Sequence, residues 1–261
     1  MTNAFLIIDA QVDFCHPEGA LFVPGANEDI DRIARLIHQY AHQIDHIVVT
    51  LDTHQLLDIA HPQFWQNAEG KHPDLFTVIS AEDVKNGLWI PRFSADKARQ
   101  YIQALETDGQ FQHVIWPEHC LIGSSGAALH DTLLAALKNW AHLRDQDYRA
   151  VQKGLYPLTE HFGVFQAQVP DPAVPETQFN VALASDLDRF DTIYIMGEAK
   201  SHCVANSLKQ LLDFAPAMSE KLVLVTDCMS DVTGMGYLAD PIYADAWTKN
   251  VRFAEAADIF V

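Results

Sequence analysis

The 261-residue chain is predicted to fold as an α/β three-layer sandwich, a mainly parallel central sheet with helices on both faces. Three observations predict it. Short apolar runs alternate with longer segments of helical apolar spacing, the pattern of parallel strands joined by crossover helices. Those runs are apolar at consecutive residues, as in strands covered on both faces. Several end on a reactive residue (Asp9, Asp52, Lys153, or Gly197 onward), and sheets of this kind bind ligands beyond the carboxyl ends of their strands.

The first run, Phe5 to Ile8, reads as a buried strand ending at Asp9. A helix is predicted over 25–43. Asn27, Glu28 and Asp29 occupy its first turn, where acids complement the helix dipole, and Ile30, Ile33, Ala34, Ile37, Ala41 and Ile44 form its apolar stripe. Strands follow over 47–51, 113–116 and 150–153, with a helix over 126–143 between the last two. The proline-bearing stretch 171–177 reads as a stiff loop leading into a helix near 179–187. Beyond it, Ile193 to Met196 form a strand that Gly197 ends. Val204, Leu208, Leu211, Leu212 and Ala215 then recur at helical spacing, and 221–227 is a last strong strand. The stretch 234–261 mixes Tyr237, Tyr243, Trp247, Phe253 and Phe260 with acids, which suits packing on the domain or against a second copy.

Composition narrows the functional classes. With 49% hydrophobic residues the chain can bury a sizeable core, and no linker, low-complexity tract or repeat marks a boundary, so one domain over 1–261 is the simpler reading. No apolar run approaches the ~20 residues that span a bilayer, and the amino terminus lacks a basic region, so a soluble, cytoplasmic protein is expected. A formal charge of −18 argues against nucleic acid or an anionic membrane as partner and leaves a small metabolite. The cysteines at 15, 120, 203 and 228 are too sparse for a disulfide scaffold and lack CxxC spacing, so reduced thiols are expected.

Cys203 is the leading nucleophile. It lies in the first turn of a helix that Ser201 can cap, where free amides and the dipole favour thiolate and can hold an oxyanion. Alone it would be read as a buried structural cysteine. Asp9, at a strand end, could take the thiol proton; its plain alternative is a turn cap, a role Asp13 could share. Lys153 ends a strand before Gly154, and alone would count as solvated surface. Asp52 and His54, two residues apart on an extended segment, point to one side and can chelate an ion with His119. Such mixed ligands suit zinc, iron or manganese. His61 is a further candidate ligand, with His16, His72 and His161 competing among thirteen histidines.

Taken together, these pieces resemble the nicotinamidase branch of the isochorismatase-like cysteine hydrolases, whose fold is Rossmann-like. LIIDAQVDFC (6–15) and GALFVPGA (19–26) look like the family's opening strand and following turn, and LDTH (51–54) and WPEHCLIGSSGAALH (116–130) like its metal motifs. VQKG (151–154) resembles its lysine segment and GEAKSHCVANS (197–207) its nucleophile turn. The resemblance implies a triad of Asp9, Lys153 and Cys203 and a divalent metal, zinc first, on Asp52, His54 and His119. It also implies an oxyanion hole from the amides of Ala199 and Cys203, a non-proline cis peptide at Glu198-Ala199, and a pocket lined by Phe14 and Trp116. The implied substrate is a small carboxamide, and the family's habits favour a homo-oligomer.

Several residues depart from the family pattern. After Lys153-Gly154, the segment Glu160-His161-Phe162-Gly163-Val164-Phe165 lacks two hydroxyls the family commonly carries. A long insertion at about 55–112, with Trp65, Lys71, His72, Trp89 and Arg92, is expected to cover the active site, reshape the pocket or build an oligomer contact. Glu198 and Lys200 replace small or neutral residues and are expected to bring charge to the pocket. Two alternatives are therefore weighed beside the amidohydrolase: another superfamily hydrolase acting on isochorismate, a ureido or a carbamoyl compound, and a non-catalytic binding protein.

Overall fold

A computed structural model describes residues 1–108 and 112–260. The chain opens with β1 (Asn3–Ile8), a one-turn helix α1 (Val12–Cys15), helix α2 (Ala26–Gln39) and β2 (His46–Asp52). Next come β3 (Trp65–Gln66), β4 (Val78–Ile79), α3 (Ala81–Lys85), β5 (Ile90–Pro91), α4 (Ala95–Asp108) and β6 (His113–Val114). The remainder is α5 (Asp131–Arg144), β7 (Arg149–Lys153), α6 (Val181–Leu187), β8 (Thr192–Gly197), α7 (Ala205–Phe214), β9 (Leu222–Val225), α8 (Asp240–Thr248) and β10 (Arg252–Ala254).

Six strands form one parallel sheet in the order β10-β9-β8-β1-β2-β7. β1 sits inside it, with Leu6 opposite Val48 of β2 and Ile195 of β8. The chain winds outward from β1 through β2 to β7, then returns to the other side at β8. The switch point therefore lies at the carboxyl ends of β1 and β8, where open α/β sheets have their crevice. Asp9 and the nucleophile turn meet there.

Alternation along the strands builds the two apolar layers. Phe5, Ile7, Ile47, Val49, Tyr194 and Met196 face α2 and α5, while Leu6, Ile8, Val48, Ile193 and Ile195 face α6, α7 and α8. Both faces are covered, which is why the strands read as unbroken apolar runs. A separate cluster, including Ile59, Phe64, Trp65, Ile79, Tyr101, Ile102 and Ile115, forms where β3 to β6, α3 and α4 pack together.

Several elements differ from expectation. The 113–116 strand is only two residues long and pairs antiparallel with β4, outside the central sheet, because Ile115 and Trp116 turn to bond Thr77 and Ala60. The 126–143 helix begins only at Asp131. Gly126 lies against the Asp13 carboxylate, where a β-carbon would stand 2.1 Å from Oδ2, and Ala128 O accepts from Val12 N. α2 ends at Gln39; Ala41 and Ile44 stay buried in a turn, with the Trp140 indole donating to Ile44 O at 3.3 Å. The 234–261 stretch packs on the domain: β10 pairs with β9, and the Phe260 ring stacks on Phe5.

Candidate active site

Asp9 follows β1 with φ of 43°, a left-handed conformation uncommon outside glycine. Thr50, on β2, secures it from both sides: the Asp9 amide donates to Thr50 Oγ1 at 2.9 Å, and that hydroxyl donates to Asp9 Oδ1 at 2.5 Å. Thr50 escapes a sequence reading because it looks like one more strand residue. Lys153 ends β7 and is almost fully buried, not solvated. Its Nζ lies 2.9 Å from Asp9 Oδ2 and 2.9 Å from Asp52 Oδ1, donates to His161 O at 2.7 Å, and stands 3.7 Å from Cys203 Sγ.

Cys203 sits in a π-helical turn, Lys200–Val204, that leads into α7. Ser201 does not cap it. Ala199 stands at the cap position, while Ser201 Oγ lies 2.8 Å from His202 Nδ1 and accepts from the amide of Val232 at 3.0 Å. Burial dominates the electrostatics and pushes the Cys203 thiol well above its ordinary value, although Lys153 acts the other way; Asp9 also raises it. Burial therefore favours the thiol, not the thiolate the dipole alone would favour. Asp9 itself is raised by burial, against the pull of Lys153. Lys153 stays cationic: burial alone would lower it, but Asp52 and Asp9 outweigh that and raise it.

Asp52, His54 and His119 converge, all buried, with one donor atom from each within 4.8 Å of the others. His54 Nε2 lies 3.1 Å and His119 Nε2 3.7 Å from Asp52 Oδ2. Each ring is oriented from behind, His54 by Asp58 Oδ2 at 3.1 Å from its Nδ1 and His119 by Pro117 O at 2.7 Å. Outer partners of this kind fix the face a metal-binding imidazole presents. Gln11 pins the strand end, donating to Asp52 O at 2.8 Å and accepting from Asp52 N at 2.7 Å. His61 completes the group. Its ring lies 5.0 Å from His54 and 5.5 Å from His119, it is fully buried, and neither nitrogen has a hydrogen-bond partner among the described residues. Burial and the neighbouring imidazoles push its basicity down to about 2, leaving neutral imidazole, the ligating form. This donor set fits a divalent cation. His16 is exposed, His72 bonds Trp65 O, and His161 lies under Lys153, so none of these competes.

A narrow cavity opens on Cys203. Phe14, Leu21, Trp116, Phe162, Ala199 and Val232 supply its apolar wall, and Asp52, His119, Glu160 and His202 its polar one. Trp116 and Phe162 both meet the His202 ring edge-on, at 5.4 and 5.5 Å. Glu160 is raised to about 8 by burial, so this carboxyl is largely protonated at neutral pH. Sequence spacing gave no reason to single out Glu160, His202 or Asp58.

Glu198 is placed otherwise than expected. It does not line the cavity; its side chain turns away to accept from the Ser230 amide at 3.2 Å. Lys200 also points elsewhere, 3.5 Å from Asp231 and over the Tyr243 ring. Neither brings charge to the cavity. The Glu198-Ala199 peptide is cis. Gly163 has no room for a side chain: a β-carbon there would stand 2.2 Å from Gln210 Oε1, which accepts the amides of Phe165 and Gln166. Trp116 is backed by the 55–112 segment, through Ala60 O and the Phe76 ring.

No family model matches the chain. A nicotinamidase of Saccharomyces cerevisiae is 26% identical over 203 residues, covering 77% of each protein. One of Escherichia coli is 25% identical over 229 residues, 86% of this chain and 81% of the relative. A solved yeast nicotinamidase superposes with a TM-score of 0.64 at 19% identity over 97% of this chain and all of that one. A Pyrococcus horikoshii pyrazinamidase solved with zinc gives 0.57 at 16% over 98% and 99%. The chain is thus similar to nicotinamidases in sequence and shares their fold, in line with the resemblance its ordered motifs carry.

Proposed function

We propose that the protein is a metal-containing cysteine amidohydrolase converting nicotinamide or a related small carboxamide to the acid and ammonia. The observation that carries this reading is the buried Lys153 ammonium, in contact with Asp9 and Cys203 on one side and with Asp52 of the metal cluster on the other.

In this reading Asp9 takes the Cys203 thiol proton and Lys153 stabilises the negative charge that remains. The thiolate attacks the carboxamide carbon, and the oxyanion that forms is held by the amides of Ala199 and Cys203. Protonated Asp9 returns its proton to the leaving nitrogen; the C–N bond breaks, ammonia departs, and a thioester remains on Cys203. Asp9, again a carboxylate, deprotonates a water that hydrolyses the thioester, and the thiol is restored. Phe14, Trp116 and Phe162 supply flat apolar walls for a ring. A divalent ion on Asp52, His54 and His119, with His61 as a further ligand, would supply Lewis-acid polarisation or an anchor for a ring nitrogen. Zinc is the proposed ion, supported by the donor set and the zinc-bound pyrazinamidase; iron and manganese are the alternatives.

The test is ammonia release from nicotinamide with and without added zinc, iron or manganese. Wild type should release ammonia only when metal-loaded, and Cys203→Ala should release none. No release from a panel of small amides by metal-loaded protein would overturn the proposal.

A further inference from the structure

We infer that Glu198 is a positioning residue: its carboxyl holds a proton against the Asp29 carboxylate and, with Ser230, ties the nucleophile turn to helix α2 and to the loop forming one cavity wall. Glu198 is fully buried one residue before Ala199, and its Oε1 meets no donor among the described residues. Through Ser230, which bonds both carboxyls, it is joined to Asp29 in the first turn of α2, whose charge acts on it. Two carboxylates cannot hydrogen-bond each other; a proton on one makes the contact a strong, charge-assisted bond. Arg32 Nη1, 2.8 Å from Asp29 Oδ1, keeps the charge on Asp29, so the proton resides on Glu198. Burial raises both groups, Glu198 the more strongly.

Ser230 links the pair. Its hydroxyl donates to Asp29 Oδ2 at 2.5 Å, its amide to Glu198 Oε2 at 3.2 Å, and its carbonyl accepts from Lys200 N at 2.8 Å. Two residues on, Val232 lines the cavity and bonds Ser201. Losing the Glu198 proton would put two buried anions in contact and push apart the elements that hold Cys203 and Val232. The other groups whose charge reaches Glu198 are Asp231, on the same loop, with Lys200 opposite it; Cys15 on α1; Cys228; and Tyr243 on α8. None of them supplies a compensating donor.

Glu198→Gln is the decisive variant, because its amide donates to Asp29 at every pH. Infrared spectra near pH 7 should show a carboxylic-acid C=O band in wild type that this variant lacks; an unchanged band would overturn the proposal. Because the folded-state pKa lies above the unfolded one, the stabilisation is complete below the unfolded carboxyl value and is lost as pH rises toward the folded value. The melting temperature of Glu198→Gln should therefore gain on wild type as pH rises above the unfolded carboxyl range. The kinetic arm rests on the amidohydrolase reading. Glu198→Gln should keep kcat within about twofold at neutral pH and weaken the alkaline fall, while Glu198→Ala should lose about tenfold or more in kcat at nearly constant KM. Glu198→Ala matching wild type in kcat and alkaline limb would overturn the proposal. Ser230→Ala serves in its place should that variant not fold. If wild type releases no ammonia, the functional reading fails alone, and the infrared and melting arms still decide the role of Glu198.

Discussion

At Asp9 the chain holds a buried carboxylate in a left-handed conformation, and Thr50 holds it there with a reciprocal pair of hydrogen bonds. In the proposed mechanism Asp9 moves a proton twice, so its orientation enters the rate more than substrate binding. Thr50→Val should lower kcat about tenfold with KM little changed, and Thr50→Ser, which keeps the hydroxyl, should recover most of it. Steady-state ammonia release checks this; equal loss in the serine variant would show that the methyl, not the hydroxyl, matters. The positions of Asp9, Lys153 and Cys203 were legible in the chain because each ends a strand or begins a helix. Their protonation was not. Desolvation raises the Cys203 thiol more than Lys153 lowers it, and burial depth is set by the packed fold.

The elements repeat this division between pattern and packing. Apolar runs located the long strands, since burial on both faces leaves a contiguous mark in sequence. The short pairs β3–β5 and β4–β6 leave almost none: two residues carry no period, and their partners lie far along the chain. Gly163 illustrates how packing constrains a position. A side chain there is excluded because the Gln210 side chain, reaching from α7 to bond two loop amides, fills the space. Gly163→Ser should cost about 1–3 kcal/mol through overpacking, read as a lowered melting temperature, and Gln210→Ala in the same chain should recover part of the loss. Retention of full stability by Gly163→Ser would mean that the Gln210 amide moves aside freely.

For the whole molecule, stability and chemistry are placed in different layers. α2 and α5 pack one sheet face through Trp140, fully buried at the opposite edge of the site's chemistry, with its indole on Ile44 O. Trp140→Ala should lose about 3–5 kcal/mol, measured by denaturant unfolding, while kcat at a temperature well below the melt stays near wild type. A parallel loss of kcat would show that the α2–α5 layer also sets the site. The third apolar cluster carries no proposed catalytic group, yet it stands behind Trp116 and so shapes the cavity.

By itself the sequence determined the strand and helix alternation, the parallel covered sheet, the strand ends carrying Asp9, Asp52 and Lys153 and the turn carrying Cys203, because hydrophobic period and residue chemistry are local properties. Only the tertiary structure decided that Glu198 and Lys200 turn away from the cavity, that Glu160 and His202 enter it, and that His61 rather than His16, His72 or His161 stands beside Asp52, His54 and His119. Each of those outcomes depends on groups brought together from distant parts of the chain, and on burial that alters their charge, and neither is encoded in spacing along one segment.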